Sequence, residues 1–485
     1  MKNFLNKTIF TVAAAVALTS TGCDKIKDFG DTDVDPTGTT VPVTAALFTR
    51  AVAEMGGKEG GLAISMYTRP GYYAQYFSET QYPGASLYDV PQLEFGQNYS
   101  GFLNDLQNII NQNTNDATKE AVTVSGSNAN QISTARILKA YAFWTLTDRW
   151  GDIPYSEALS GNPLPKYDTQ ESIYADLLKE LKEAVDGFDG GLGMKGDAIY
   201  NGNTAKWQKF GNSLRMQIAL RMSKVYPNAG GLAATEFSAA LNHPAGHIAV
   251  NSDNAKIDFP GGSYQNPWYS TYVASPRFDD AISSTIVDVL NDFQDPRVQR
   301  YGTMDAGFPY GLDRAHAVLV PAGSFGFILD GVNMKEDEDV VILNAATVLF
   351  ARAEAAERGW TSENAANLYN QAVATSFAQW GFADASSYLL QNGVAYGAAD
   401  HLKKIGIQKW LAMYPDGMQA WAEWRRTGFP ELTPSEYALS ASKGNIPRRF
   451  VYGTGEYGTN NENVKEAAAR LSGGDDQNSR MWWDK

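Results

Sequence analysis

The chain has 485 residues, of which 44% are hydrophobic and 12% aromatic, and it carries a formal net charge of −14 with a single cysteine. This length and apolar content are enough for a sizeable folded core. A chain this acidic lacks the basic surface that binds nucleic acid or anionic lipid, and one cysteine excludes an internal disulfide.

The N-terminus has the layout of a secretory signal. Two lysines precede a short apolar run at 9–18, which is too short to span a bilayer, and small residues come directly before Cys23. We predict that residues 1–22 are a lipoprotein signal peptide and that Cys23 is lipidated, with more than one acyl chain needed for stable anchoring. Residues 23–45 are polar, with Pro and Gly, and predict a flexible tether. Residues 46–485 are then a single domain.

Helical periodicity dominates the rest of the chain. Apolar residues that recur at three- and four-residue steps predict helices over 129–150, 169–187, 204–226, 341–358, 362–380 and 401–427. The last of these is expected to break at Pro415 and Gly417, and Thr169 is expected to cap the second. Antiparallel helices joined by short turns resemble tetratricopeptide units. The predicted fold class is therefore all-α, mainly helical, with tetratricopeptide-like helix pairs as a scaffold for long irregular ligand-binding loops.

Four long stretches between the helices show no periodicity. They cover 79–97, 243–280, 301–340 and 429–463 and are rich in Gly, Pro, Tyr and Asn. Loops of this length inside a compact domain are usually functional or disordered, and their aromatic residues favour order.

Several stretches match one known family in order and spacing. They are 132–159, 167–185, 196–227, 344–360 and 410–429, followed by the closing segments 446–450 and 482–484. These stretches resemble the SusD/RagB family, and most closely its SusD-like branch, over nearly the whole mature chain. The resemblance implies a non-enzymatic, α-helical lipoprotein of the cell outer membrane that faces the exterior. It also implies that the protein binds oligosaccharides, or in some members peptides, and hands them to a SusC-like TonB-dependent transporter.

Motifs of other chemistries are absent from the sequence. It contains no HExxH, GxSxG, Walker or CxxC motif. His243 and His247 have a metal-ligand spacing, but Pro244 between them argues against the helix that this spacing requires. We therefore predict no catalytic residue, no cofactor and no metal. A glycoside hydrolase with a loop Asp/Glu pair and a scaffold that binds only proteins remain the alternatives from other classes.

Two clusters of charged and aromatic residues at helix ends are interpreted as structural, because such residues are more often packed and paired than exposed to a ligand. They are Asp148, Arg149, Trp150 and Asp152, and then Trp421, Trp424, Arg425 and Arg426.

Ligand-binding residues are expected on the loops, because loops carry variable function on a rigid support and aromatic rings stack on sugar faces. The candidates are Tyr82, Tyr88, Tyr264, Asn266, Trp268, Tyr269, Tyr272 and Tyr310. By contrast, Tyr73, Tyr76 and Phe77 are expected in the core. The candidate rings are equally compatible with plugs that fill small cores beneath the loops.

Overall fold

A computed structural model describes residues 43–57, 69–397 and 399–485 of the chain. The predicted signal peptide, Cys23 and nearly all of the predicted tether lie outside these residues. Residues Thr44–Lys485 form one unit by their internal contacts. In the described part of the chain, no helix is both long and apolar enough to cross a membrane.

The described residues are mainly helical, and the prediction of an all-α, tetratricopeptide-like fold is confirmed. The longer helices are α1 (Thr44–Gly57), α2 (Asn104–Thr114), α3 (Asn128–Trp150), α4 (Gln170–Asp186), α5 (Thr204–Arg221), α6 (Leu232–Leu241), α7 (Ser284–Asp292), α8 (Ala345–Glu357), α9 (Ala365–Gln379), α10 (His401–Met413), α11 (Gly417–Thr427) and α12 (Asn461–Arg470). Shorter helical segments occupy Pro70–Tyr73, Gly96–Asn98, Tyr99–Leu103, Ala121–Ser125, Met222–Lys224, Asn251–Asp253, Pro267–Tyr269, Ser270–Ala274, Val298–Tyr301, Arg314–Ala317, Ser386–Leu389, Ser440–Ser442 and Thr454–Thr459.

Short strands connect the loops to this scaffold. They are β1 (Phe77–Glu79), β2 (Ile153–Pro154), β3 (Tyr167–Asp168), β4 (Ala255–Ile257), β5 (Asp280–Ile282) and β6 (Val340–Leu343). They pair antiparallel as β1 with β5, β2 with β3 and β4 with β6. The β4–β6 pair joins the loop that follows α6 to the residues that lead into α8, and β1–β5 holds the first long loop beside the second.

Side-chain caps explain where many of the helices begin. The capping residues are Ser127, Thr169, Asn203, Asn344, Asn364 and Asp416, and each accepts a hydrogen bond from the backbone N–H three residues later. Such a cap stabilises a helix by about 0.5–2 kcal/mol. The prediction of a cap at Thr169 is confirmed. The helix predicted over 341–358 instead begins at Ala345, because the apolar residues before Asn344 form β6.

Helices adjacent in sequence pack against each other, as in α2–α3, α3–α4, α4–α5, α5–α6, α8–α9 and α10–α11. Helix α3 is buried on most of its circumference, and its Trp144 lies in the main core. Tyr73, Tyr76 and Phe77 are also buried there, so their prediction as core residues is confirmed.

The two charged and aromatic clusters are parts of the scaffold, and all their residues are buried except the half-buried Asp152 and Trp424. The Asp148 carboxylate accepts a hydrogen bond from the Trp483 ring at 2.9 Å and lies 3.4 Å from Arg221. The Arg425 guanidinium lies 3.6 Å from the centre of the Trp421 ring. The interpretation of both clusters as structural is confirmed. The cation that pairs with Asp148 is Arg221, which lies on α5 and not in the cluster itself.

A buried ionic cluster joins α8, α10 and α11. The Arg426 guanidinium contacts the Glu354 carboxylate at 2.5 Å and the Glu423 carboxylate at 2.6 Å, and Lys409 lies 3.0 Å from Glu423. Burial alone would raise the pKa of the Glu354 carboxyl, but the charge and hydrogen bonds of Arg426, together with the charge of Arg358, outweigh this effect and lower the pKa to about 2. Charges held inside a protein are tolerated only when they are paired with good geometry, so this cluster fixes how the three helices meet.

We expect Glu354→Gln to lower the free energy of unfolding by roughly 3–5 kcal/mol, because breaking a buried ion pair leaves its partner poorly compensated. Urea denaturation of the mature protein at neutral pH measures this change. The matched control is Glu431→Gln, which removes the partner of Lys403 in an exposed pair and should cost less than about 1 kcal/mol. Equal losses of stability in the two variants would contradict the assignment of Glu354 to a buried, stabilising ion pair.

The same comparison has a defined pH dependence. The Glu354 pKa is lower in the folded protein than its ordinary value of 4.5. Its contribution to stability is therefore complete above that value and is lost as the pH falls through about 2. The difference in free energy of unfolding between the wild type and Glu354→Gln should therefore decrease as the pH falls from 4.5 to about 2.

Candidate ligand-binding site

Three loop segments meet on one side of the scaffold, at 79–90, 306–317 and 431–445. The Tyr88 hydroxyl accepts a hydrogen bond from the Ser435 N–H at 3.1 Å and lies 3.2 Å from the Tyr310 hydroxyl. Burial raises the pKa of Tyr88. Tyr88 and Tyr310, which were both predicted as ligand residues, connect the three loops through these hydrogen bonds. Tyr88 is fully buried and presents no ring face to the solvent.

The outer side of the same junction carries exposed rings and cations. Tyr82 is 61% exposed, and the Arg314 guanidinium lies 5.3 Å from the centre of its ring. His316, on the same helical turn as Arg314, lies against Tyr437 with 4.9 Å between ring centres. The Asp313 carboxylate accepts a hydrogen bond from the His316 backbone N–H at 3.0 Å and caps this turn. We call Tyr82, Arg314, His316 and Tyr437 the Tyr82 surface.

The loop that carries Tyr82 is held in place by one carboxylate. Glu79, at the end of β1, accepts hydrogen bonds at 2.8 Å from the backbone N–H groups of Gly84 and Ser86 and from the Ser86 hydroxyl. Three bonds to one oxygen restrict the loop directly after Tyr82. The exposed ring is therefore presented from an ordered support, as ligand stacking requires.

Asn266 and Trp268 occupy a different place. The Asn266 side chain caps a short helical turn by accepting hydrogen bonds from the N–H groups of Trp268 and Tyr269, and it donates to the Glu338 carbonyl at 2.8 Å. Trp268 is only 3% exposed and packs edge-on against Phe77 with 5.7 Å between ring centres. Both residues line an interior pocket.

The remaining candidates are spread along the loop around this turn. Tyr264 is 62% exposed. Tyr269 is half-buried, and the Tyr272 hydroxyl lies 3.5 Å from the Asp280 carboxylate. The predicted residues therefore do not form one site: Tyr82 lies on the surface, with Tyr88 and Tyr310 beneath it, and Asn266 and Trp268 lie at the pocket.

Arg314, His316 and Tyr437 were not among the predicted residues. All three lie in long loops that the sequence identified as candidates for function. Their proximity to Tyr82 could not be read from the sequence, because contacts between irregular segments far apart in the chain leave no periodic signal.

The two closely spaced histidines have separate partners. His243 Nε2 lies 3.0 Å from the Asp186 carboxylate, and His247 Nε2 lies 3.2 Å from the Arg352 guanidinium. Burial and that guanidinium lower the pKa of His247. Within residues 43–57, 69–397 and 399–485, no three His, Cys, Asp or Glu side chains are grouped closely enough to hold a metal ion.

Comparison with known proteins gives a consistent family. The SusD-like_2 family model, described as starch-binding and associating with the outer membrane, matches residues 36–453. A SusD homologue from Bacteroides uniformis superposes with a TM-score of 0.78 at 26% identity, covering 91% of this chain and 99% of that chain. A protein titled chitin-binding protein gives 0.77 at 27% identity with the same coverages.

A chitin-binding SusD homologue from Flavobacterium johnsoniae shares the fold, with a TM-score of 0.78 at 23% identity over 91% of this chain and 98% of that chain. No curated protein matches the chain at a significant level.

Of the predicted ligand residues, Trp268 is buried and Tyr82 is exposed, so measurements of stability can test where the two rings lie. We expect Trp268→Ala to lower the free energy of unfolding by roughly 3–5 kcal/mol, because it leaves a cavity in the core. Tyr82→Ala should change it by less than about 0.5 kcal/mol, because the ring is exposed. Urea denaturation measures both changes. An unchanged free energy of unfolding in Trp268→Ala would contradict the burial of this ring.

Proposed function

The chain belongs to the SusD-like family, described as starch-binding and associating with the outer membrane, and on that premise we propose that it captures neutral oligosaccharides at the bacterial surface. The observation that carries the proposal is the exposed Tyr82 ring, held by the Glu79 loop contacts and flanked by Arg314. The captured glycan then passes to a SusC-like TonB-dependent transporter.

The chemistry of the Tyr82 surface suits a sugar. An aromatic face binds the C–H face of a pyranose through dispersion and ring electrostatics, which is how amphipathic rings bind ligands that are apolar on one side. Arg314 and His316 beside it supply N–H donors for hydroxyl groups, and Asp313 supplies an acceptor. A ring with donors and acceptors at its edge can therefore bind both the face and the rim of a sugar.

Net charge and the known relatives narrow the class of glycan. A chain with a net charge of −14 repels polyanions, so a neutral polymer is favoured over an acidic one. The family description names starch, and one relative of 27% identity is titled as chitin-binding. Polymers of glucose and of N-acetylglucosamine are therefore the first ligands to test.

Lipid anchoring at Cys23 places this binding surface at the membrane. We expect wild-type protein, expressed in a bacterium that processes lipoproteins, to incorporate a palmitate analogue and to remain with washed membranes, and Cys23→Ala to do neither. Ser20→Ala, which alters the signal but keeps the cysteine, is the matched control. Labelling of Cys23→Ala would contradict the proposal.

Calorimetry with malto- and chito-oligosaccharides tests the binding surface. We expect Tyr82→Ala to weaken binding about two- to tenfold, because ring contacts contribute roughly 0.5–1.5 kcal/mol. Tyr82→Phe should keep most of the affinity, since the ring is retained. Tyr264→Ala is the matched control, a tyrosine of similar exposure on another loop.

Three outcomes would overturn parts of this assignment. A loss of oligosaccharide affinity in Tyr264→Ala, with none in Tyr82→Ala, would place the ligand on the 258–266 loop. Affinity for peptides without affinity for any glycan would change the ligand class. Measured turnover of a bound oligosaccharide would make the protein a hydrolase.

A further inference from the structure

An interior pocket lies where β6, the turn that carries Trp268, and the connection between α10 and α11 meet. Its cavity volume is about 110 Å³. This space is well above the minimum of about 10–15 Å³ that a single water needs. None of its lining residues belongs to the Tyr82 surface.

The inner wall combines aromatic rings with polar donors. Trp144, Trp268, Trp380 and Tyr414 line the pocket together with Gln419. The wall is therefore partly apolar and partly polar, as in sites for ligands that have both kinds of surface.

Two of the donors on this wall are unpaired. Trp380 and Gln419 are only 8% and 7% exposed, and no described residue offers an acceptor to Trp380 Nε1 or Gln419 Nε2. Proteins rarely leave buried N–H groups without a partner, because they have lost their hydrogen bonds to solvent. Because both residues line the pocket, an occupant with acceptor oxygens could satisfy these donors.

The charges around the pocket favour a neutral occupant. At the mouth, Lys256 pairs with Asp339 at 3.6 Å, and Glu338 adds a further acidic group. Inside, burial raises the pKa of Asp416 to about 7, so this carboxyl is partly protonated at neutral pH. An acidic mouth disfavours an anion, and unpaired N–H donors disfavour a cation.

We propose that this pocket binds a single neutral sugar unit, with acceptor oxygens on Trp380 Nε1 and Gln419 Nε2. The choice of a sugar rests on the proposed function, whereas the pocket itself is a second site, separate from the Tyr82 surface. Asn333 and Lys256 at the partly exposed mouth give the unit access from solvent.

The test uses glucose and N-acetylglucosamine as separate probes on the mature protein, with calorimetry and intrinsic tryptophan fluorescence as readouts. We expect one probe to bind with a stoichiometry of one and to change the fluorescence. Trp380→Phe removes the unpaired N–H but keeps a ring, so binding should weaken about five- to tenfold while stability is retained. Asn333→Trp, which fills the mouth, should abolish binding.

Tyr82→Ala distinguishes this proposal from the previous one. Binding of the single sugar should persist in Tyr82→Ala, and binding of oligosaccharides to the Tyr82 surface should persist in Trp380→Phe. If oligosaccharides bind through Tyr82 but neither single sugar binds, or if Trp380→Phe and Asn333→Trp have no effect, the pocket holds water only and this inference fails. If neither oligosaccharides nor single sugars bind, the proposed function fails.

Discussion

The ion pairs of Arg426 with Glu354 and Glu423 are the constraint on which the scaffold depends. Each charge is almost completely buried, so the Arg426 guanidinium must remain in contact with the two carboxylates to compensate their charge. This requirement fixes α8 against α11, and Lys409 brings in α10 through Glu423. Arg221 extends the network to α5, because it lies 3.5 Å from Glu423.

The same network determines the geometry of the interior pocket. Gln217 on α5 lies 3.3 Å from Lys409, and Gln419 on α11 accepts a hydrogen bond from Arg221 at 2.8 Å. Both amides line the pocket, so the residues that hold the helices together also position polar groups on its wall. The Tyr82 surface and the pocket therefore rest on a scaffold whose helices are held in register by ion pairs, and short strand pairs connect the loops to it.

Helices could be predicted where apolar periodicity is strong, and less well elsewhere. Helices α3, α4, α5 and α9 were located to within a few residues, since their apolar faces repeat over several turns. Helices α1, α2, α6, α7 and α12 were not predicted. Helices α2 and α12 are rich in Asn, Gln, Glu and Lys, and α6 and α7 span only ten and nine residues, so their apolar pattern repeats over few turns. Helix α1 begins inside the segment predicted as a tether. The apolar run that forms β6 was assigned to a helix, since a short run of this kind fits either structure.

The sequence by itself determined the family resemblance, the helical scaffold and the loops that would carry aromatic rings, because these properties are encoded by local periodicity and composition. Only the tertiary structure decided which rings face the solvent. Tyr82 and Tyr88 share one loop, yet the first is exposed and the second is buried against Ser435, 347 residues later in the chain. The physical reason is that a side chain in an irregular loop is buried by whatever distant segment packs on it, and local sequence contains no record of that partner.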